Sequence, residues 1–499
     1  MRLIKRLKRT IRVLIGIILA VYIGAILLLN LPYVQQRMSV LVSGQLSSAL
    51  GSELSIGRIN LGFLNRIIID DLKVNDLSGR DMLKVTRLSA KFDFLPLLEG
   101  KVSISNIQLF GFDIRLSKDT PESAPNFQFI VNAFKPREKK TKKTDLDLRI
   151  NSLLIRRGRL SYDVLSEKQT PGKFNVRHIA LDNIIANISL KALRNDSINA
   201  SVKRLSITEA NSGFDLDKLT LKVLGNEEGM RVENFAINLP RTSIEADTIL
   251  IRYDSLDAFK NILQEVDFSF RMKPSQITLR DLSAFLPALK SFEEPLQMEI
   301  EADGSIDRLN CPRLYISSSK KHFHLKGNAS FQDLAHPADA YVFAGLSSLH
   351  ADREGLAFLL RNFGVANVST IQNLGTISFQ GQLSGYFTDL VTYGRIRTGL
   401  GTLNTDIKIT SDKPNGHMAY SGKLATQDFD LGSLTGNDKW GKITFNLDVD
   451  GSQRKGHYPQ VILKGLIASI DYSEYAYQNI TLDGEYKQGG FNGKLALDD

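Results

Sequence analysis

From about residue 54 onward, apolar and polar side chains mostly take turns along the chain. In "ITFNLDVDG" (443–451), Ile443, Phe445, Leu447 and Val449 alternate with Thr444, Asn446, Asp448 and Asp450. "FGFDIRL" (110–116) sets Phe110, Phe112, Ile114 and Leu116 against Gly111, Asp113 and Arg115. "HFHLKGNASF" (322–331) sets Phe323, Leu325 and Phe331, with Gly327 and Ala329, against His322, His324, Lys326, Asn328 and Ser330, and "ITLDGEY" repeats the pattern through Ile480 and Leu482. A period of two predicts strands with one buried and one wet face, and turn-rich pieces such as "DLSGRD", "NEEG", "DKPNG" and "KQGG" separate them. One-sided alternation of this length means antiparallel sheet. With ~12 residues per strand and turn, roughly 30 strands would stack to on the order of 140 Å. An open sheet of that many twisted strands curls or splits, and curling turns the apolar side inward. Only 277–289 and 350–363 interrupt the pattern with helical spacing. The fold class read here is mainly β, with a few short helices.

The first fifty residues keep a different period. Val13, Leu14, Ile15, Ile17, Ile18, Leu19, Val21, Ile23, Ile26, Leu27, Leu28 and Leu29 fall in an uncharged run over 13–31, near the lower length of a membrane-spanning helix. A cleavable leader needs small residues after a shorter apolar core, whereas "LLLNLPYVQQ" offers large ones. An uncleaved single-pass anchor is therefore expected. Six basic groups lie in 1–12 and only Arg37 in the twenty-five residues after the run, so the tail 1–12 is placed in the cytoplasm and the bulk outside. Within 33–50, Val34, Met38, Leu41, Val42, Leu46, Ala49 and Leu50 recur at helical spacing and stop at Gly51. They predict an amphipathic helix that packs on the core, lies on the bilayer surface, or closes the end of a groove.

Composition changes this picture little. The 499 residues are 42% hydrophobic and 23% charged, ordinary for a globular protein. The net charge of +9 is local: 1–12 holds six basic groups, and "KPREKKTKK" (135–143) holds six more with one acid. Removing those twelve and that one from totals of 63 and 54 leaves 51 basic against 53 acidic groups. A nucleic-acid surface spreads positive charge over the fold, so no nucleic-acid partner is expected. The run 135–143 reads as a solvated connection, or as a contact for anionic headgroups. Cys311 stands alone, so no disulfide can form within the chain.

Two patterns within 54–116 carry a family resemblance. Val74, Asp76, Gly79, Leu83 and Val85 fit V-x-D-x-x-G-x-x-L-L-x-V, with Met82 replacing the first leucine of the pair. Leu97, Leu98, Gly100, Lys101, Ile104, Ile107 and Leu109 fit L-L-x-G-K-x-x-I-x-x-I-x-L. With 150–163, 239–254 and 465–499, they make the chain resemble the AsmA/TamB superfamily, most of all the N-terminal part of a TamB-type protein. The resemblance implies a chorein-like module over 32–134, a basic linker over 135–144, and a taco-like β-groove over 145–499. It also implies a periplasmic protein anchored in the inner membrane of a Gram-negative envelope, conducting phospholipid toward the outer membrane with acyl chains in the groove. TamB-type proteins are further linked to outer-membrane protein assembly or secretion with a barrel partner of the TamA/BamA type. The chain ends inside the strand pattern, at "GKLALDD", and is read either as a fragment or as lacking the piece that reaches the outer membrane. Candidate groove-lining residues are Phe110, Phe112, Ile114, Leu116, Phe323, Leu325, Phe331, Ile443, Phe445, Leu447, Val449, Ile480 and Leu482. A scaffold that pairs a sheet edge with client strands and a dry-core β-solenoid are the alternatives.

Reactive constellations are missing from the sequence. Asn446, Asp448, Asp450 and Gly451 match positions 1, 3, 5 and 6 of a calcium loop, but position 12 is His457 in place of the bidentate glutamate. His322 and His324 share a strand face without the further ligands zinc needs. Neither G-x-S-x-G, a phosphate-binding G-x-x-x-x-G-K-[ST], nor H-E-x-x-H occurs. The doublets Asp215/Asp217 and Asp428/Asp430 follow the period of two. A non-enzymatic protein without metal or cofactor is the expectation.

Overall fold

In a computed structural model, the structure describes residues 2–498 apart from 63–64, 93–103, 134–147, 194–196, 335, 337–338, 363–372, 413–416, 455–459 and 489. The protein is mainly β, and its residues divide into two compact units, 1–240 with 281–290, and 241–280 with 291–499. The boundary expected at 135–144 lies outside the described residues, and strands on either side of it pair with each other.

In the first unit, helix α1 (Arg2–Leu29) continues through the basic tail into the apolar run. Its stretch Thr10–Leu29 is long and apolar enough to cross a membrane and has no buried part. Val13, Leu14, Ile15, Ile17, Leu19, Val21, Leu27 and Leu28 are more than half exposed, with Ile23 close behind; Ile26 and Leu29 are half-buried, and Ile18 lies in the same helix. A helix packed on a protein core would hide one stripe. Pro32 forces Leu31 to be extended, ending α1 and starting α2 (Pro32–Leu50), which stops at Gly51 in the left-handed region (φ 68°).

Here the structure corrects the sequence. The helix packs through a row with a spacing of four, Gln35, Ser39, Ser43 and Ser47, in which Gln35 and Ser39 are buried. From the predicted apolar stripe, Val42 and Leu50 join the core, whereas Leu41 is 60% exposed beside Val40 and Tyr33 at 68%. The reason is the neighbour: α2 lies on the outer edge of strand β1 (Leu54–Gly62). Ser47 Oγ accepts from the Leu54 amide at 2.9 Å and Ser43 Oγ from the Ile56 amide at 3.1 Å, while Asn30 Nδ2 donates to the Leu61 carbonyl at 2.8 Å. An edge strand presents unpaired backbone groups, and small hydroxyls satisfy them where leucines could not.

Strands β2 (Arg66–Asn75), β3 (Asp81–Phe92), β4 (Ile104–Lys118), β5 (Leu148–Val164), β6 (His178–Leu193), β7 (Ser197–Glu209), β8 (Phe214–Asn226) and β9 (Gly229–Leu239) follow in order. Each pairs antiparallel with its predecessor except β5, which runs parallel to β4. A parallel neighbour needs a long crossover, and residues 119–147, including helix α3 (Gln128–Ala133), provide it. The β2–β3 turn explains the first family-like pattern. Asp76 Oδ1 accepts from the amides of Ser78 and Arg80 at 2.8 and 2.9 Å, and Gly79 is left-handed (φ 77°). Val74, Met82 and Val85 are buried around it. In the second pattern, Leu97, Leu98, Gly100 and Lys101 lie outside the described residues.

The second unit holds β10 (Thr242–Arg252), then β11 (Asp267–Arg271) and β12 (Ser275–Ile277), which share one place between β10 and β13 (Leu296–Gly304). An antiparallel meander follows through β14 (Arg308–Ser318), β15 (Phe323–Gln332), β16 (Tyr341–Ala351), β17 (Ile377–Tyr386), β18 (Asp389–Thr398) and β19 (Gly401–Asp412). It continues through β20 (His417–Asp430), β21 (Trp440–Arg454), β22 (Gln460–Tyr472), β23 (Tyr475–Lys487) and β24 (Gly490–Leu497). The helix expected over 350–363 is α4 (Arg353–Asn362), whose first amides bond to Asp352. The one expected over 277–289 is instead a strand end and two 3-10 turns, Leu279–Leu282 and Pro287–Ser291, because Pro287 cannot sit inside a helix. The described strands number twenty-four, fewer than the thirty anticipated, because several run to thirteen residues or more.

Candidate functional site

In each unit the strands present an apolar face on which buried side chains cluster. In the second unit, Phe429, Ile443, Leu447, Ile467, Ile480 and Leu482 form one buried cluster with Phe445, Val449, Leu403 and Leu463 half-buried against it. Six of the thirteen candidates thus meet across two of four neighbouring strands. Phe323 and Leu325 join Ile316, Leu349 and the α4 residues Leu356, Leu359 and Leu360, and Phe331 packs with Ala302, Cys311 and Ala329. In the first unit, Phe112 and Ile114 belong to a cluster with Val85 and Ile184, and Leu116 is half-buried beyond them.

Strands in both units pack on their ladder neighbours. Short elements lie against parts of each unit: α2 and α3 over the first strands, the turn segment 281–290 through Phe285 against Phe174 and Phe214, α4 beside β16, and the short α5 (Leu431–Thr435), whose Leu431 and Leu434 pack on the β21 cluster. Toward β24 the face is bare, with Leu495 and Leu497 more than half exposed.

Phe110 is the candidate that the structure moves. It is 40% exposed, whereas Phe112, two residues on, is 7% exposed in the core. Gly111 between them is left-handed (φ 64°), so the alternation slips by one and Leu109, not Phe110, shares the face of Phe112. A Cβ on Gly111 would stand 2.7 Å from Thr86 Oγ1. The same slip recurs on adjacent strands, at Arg157 (φ 56°) of β5 and Asn183 (φ 53°) of β6. Glycines elsewhere let aromatic rings lie flat on the sheet. The Phe112 ring occupies the space above Gly158, and Phe379 covers the facing pair Gly381 and Gly394.

The wet faces hold what the sequence offered as metal chemistry. Asp448 lies between Lys423 and Lys464 on the adjoining strands, which suits a solvated charge pattern better than a cation. His457 lies outside the described residues. His322 is not simply solvated: its Nδ1 meets Asp352 at 2.7 Å and its Nε2 meets Glu354 at 2.9 Å. The hydrogen bond to Asp352 holds the imidazole above its ordinary pKa. His324 is pushed the other way, first by burial and then by His350 stacked 5.1 Å away. Among the described residues no group of three or more His, Cys, Asp or Glu is placed to hold a metal ion.

Clefts open on the wet faces. One, about 880 Å³ across β15 to β21, is lined by amides and charges including Asn328, Gln380, Gln382, Arg395, Asn404 and Asp406, with the exposed Tyr393. A second, about 700 Å³ in the first unit, is lined by Arg58, Asp70, Asp71, Arg87 and Phe110 among others, and its cations face carboxylates. A third, about 510 Å³ in the same unit, is lined by Phe110, Arg156, Arg157, Lys203 and Arg204 among others. The sequence pattern announces none of them directly. The available signal was a step of three inside the period of two, at Leu109 to Phe112, Ile155 to Gly158, and Leu181 to Ile184. No protein-family model matches the chain, and no curated protein or solved structure matches it either.

Proposed function

We propose that this is an inner-membrane-anchored protein of the Gram-negative envelope whose apolar sheet face receives the acyl chains of phospholipid and carries them toward the outer membrane. The observation that supports the reading is the apolar face of the second unit: half-buried Leu403, Phe445, Val449 and Leu463 extend from a buried floor, and toward β24 Leu495 and Leu497 are more than half exposed. Exposed apolar area of this continuity marks a binding surface. The unburied apolar helix α1 supports a membrane anchor, and the six basic groups at its start favour a cytoplasmic N-terminus. Tyr33, Val40 and Leu41 then face outward directly after the anchor, where an interfacial helix would meet the bilayer surface. No bond is made or broken, so the sheet needs no catalytic group. The scaffold reading is weakened at β1, whose edge α2 already satisfies. A barrel partner of the TamA/BamA type belongs to the same proposal, as the acceptor of either lipid or client protein.

The test is photo-crosslinking in membranes. A benzoylphenylalanine at position 445 is expected to yield an adduct of phospholipid mass, and one at position 446, on the wet face, is not. Equal labelling at both positions, or none at 445 while the protein is folded, overturns the proposal.

A further inference from the structure

The smaller cleft in the first unit has a charge distribution that the apolar face does not explain. Arg156 and Arg157 of β5 and Lys203 and Arg204 of β7 are all exposed and flank β6 at Ile185 and Asn187. Each doublet falls where the register jumps, between Ile155 and Gly158 and between Val202 and Leu205. At such a bulge two successive side chains are released to the same side of the sheet. Among the described residues, none of these four cations is ion-paired with a carboxylate, and no acid lines the cleft. Their neighbours differ: Arg159 meets Asp182 at 3.4 Å, and Arg87 meets Asp70 at 2.6 Å.

Two further details make this a built feature. Arg157 occupies the left-handed region at φ 56°, where asparagine or glycine would be easier and where strain tends to be kept at functional positions. Its guanidinium lies 5.3 Å over the ring of Phe110, which holds both side chains at the cleft. Phe110 and Ile185 leave exposed apolar surface beside the cations.

We propose that this cleft binds the phosphate headgroup of an anionic phospholipid. The arginine forks suit phosphate oxygens, which they engage two at a time, and Phe110, Leu154 and Ile185 suit the glycerol and first methylenes. An acidic peptide spaces its charges along an extended chain, whereas these four cations converge beside apolar surface. Because the cleft is on the wet face, the proposal stands apart from acyl-chain binding on the opposite face.

The full chain in a mild non-ionic detergent, examined by native mass spectrometry, tests it. The probes are phosphatidylglycerol, phosphatidylcholine, inorganic phosphate and poly-glutamate. The variants are Arg156→Gln/Arg157→Asn/Lys203→Gln/Arg204→Gln together, and Phe110→Ser/Ile185→Ser, with the N-terminal basic groups intact so that lipid held by the tail cancels. The expected result is a phosphatidylglycerol adduct at least about tenfold stronger than that of phosphatidylcholine, reduced on the order of a thousandfold by the fourfold change. The apolar double variant should weaken phosphatidylglycerol and leave phosphate unchanged, which decides the matter even if the fourfold variant fails to fold. Equal binding of both lipids, an unchanged adduct in a folded fourfold variant, phosphate bound as tightly as phosphatidylglycerol, or poly-glutamate displacing the lipid at equal concentration would each overturn it.

Discussion

Phe445 and Leu447 stand two residues apart on one strand and one face, and replacing each by aspartate separates an open lipid-bearing face from a closed dry core. Leu447 is 6% exposed within the cluster of Phe429, Ile443 and Ile467. Leu447→Asp forfeits about 2 to 3 kcal/mol of apolar burial and adds several kcal/mol for a buried carboxylate without a partner. That approaches the whole stability of a domain, about 5 to 15 kcal/mol, so the variant is expected not to fold. Phe445 is only half-buried against the same cluster. On an open face its aspartate can reach water, and the loss is roughly half the transfer energy of a phenylalanine, about 1 to 1.5 kcal/mol. At ~2 to 4 °C per kcal/mol for a unit of this size, melting should fall by only a few degrees. Bound phospholipid, measured by mass spectrometry of the purified chain, should nevertheless fall several-fold, because a charge now stands in the path of acyl chains. Phe445→Leu keeps the face apolar and should retain its lipid, which separates loss of lipid from the stabilisation that bound lipid itself supplies. If Phe445→Asp unfolds as completely as Leu447→Asp, the face is closed and the acyl-chain reading fails. If it folds with its lipid undiminished, lipid binds elsewhere.

The edge-sealing row of α2 should matter in proportion to the backbone groups it satisfies. Ser43→Ala/Ser47→Ala leaves the amides of Leu54 and Ile56 without their partners and should cost about 2 to 4 kcal/mol in urea unfolding, with concentration-dependent self-association through the bared edge; unchanged stability and a monodisperse variant would refute the role. Glu209 is nearly fully buried, accepting from the amides of Ala180 at 2.9 Å and Ser212 at 2.7 Å and from the Ser212 hydroxyl. Burial alone would raise its pKa, but these donors outweigh burial and hold it below the ordinary value. Its stabilising effect is therefore complete above the unfolded value of about 4.3 and is lost as pH falls toward the lower folded value. Glu209→Gln should destabilise by about 2 kcal/mol at neutral pH and flatten this part of the acid-unfolding curve, so coincident acid transitions for the two proteins would count against it.

Much of the architecture was legible because period and chemistry agree over long runs. Strands such as Trp440–Arg454 read directly from Ile443, Phe445, Leu447 and Val449, and the apolar helix α1 read from its uncharged length. What escaped was set by neighbours distant in sequence. The apolar residues of α2 predict one packing face, yet the unpaired amides of β1 select the face carrying Ser43 and Ser47. Residues 277–289 have helical spacing, but Pro287 divides them. The parallel pairing of β4 and β5 depends on a crossover that no local pattern announces. Where the face alternates without interruption, as in β21, the candidate residues meet in one cluster; where it slips, as at Gly111, Phe110 lies on the opposite side from Phe112.

These slips also tie the two faces to one another. A strand that keeps strict alternation can place only every second residue on its wet side, so neighbouring cations along it stay about 7 Å apart. At a bulge two consecutive residues turn the same way, and the apolar face loses nothing because the next apolar residue arrives three positions on. On β5 the released pair is Arg156 and Arg157; on β6, Asp182 and Asn183; on β7, Lys203 and Arg204, while on β4 the left-handed Gly111 turns Phe110 outward without a jump in register. Because β4, β5 and β7 turn Phe110, Arg156, Arg157, Lys203 and Arg204 out toward the same stretch of β6, Ile185 to Asn187, these side chains collect on one part of the wet face. A basic cleft with an aromatic wall thus arises without any helix, loop or cofactor, and the continuous apolar side behind it is left intact. Mutations that regularise the alternation should therefore remove the cleft before they disturb the apolar clusters, since Phe112, Gly158 and Ile184 already meet across the slip.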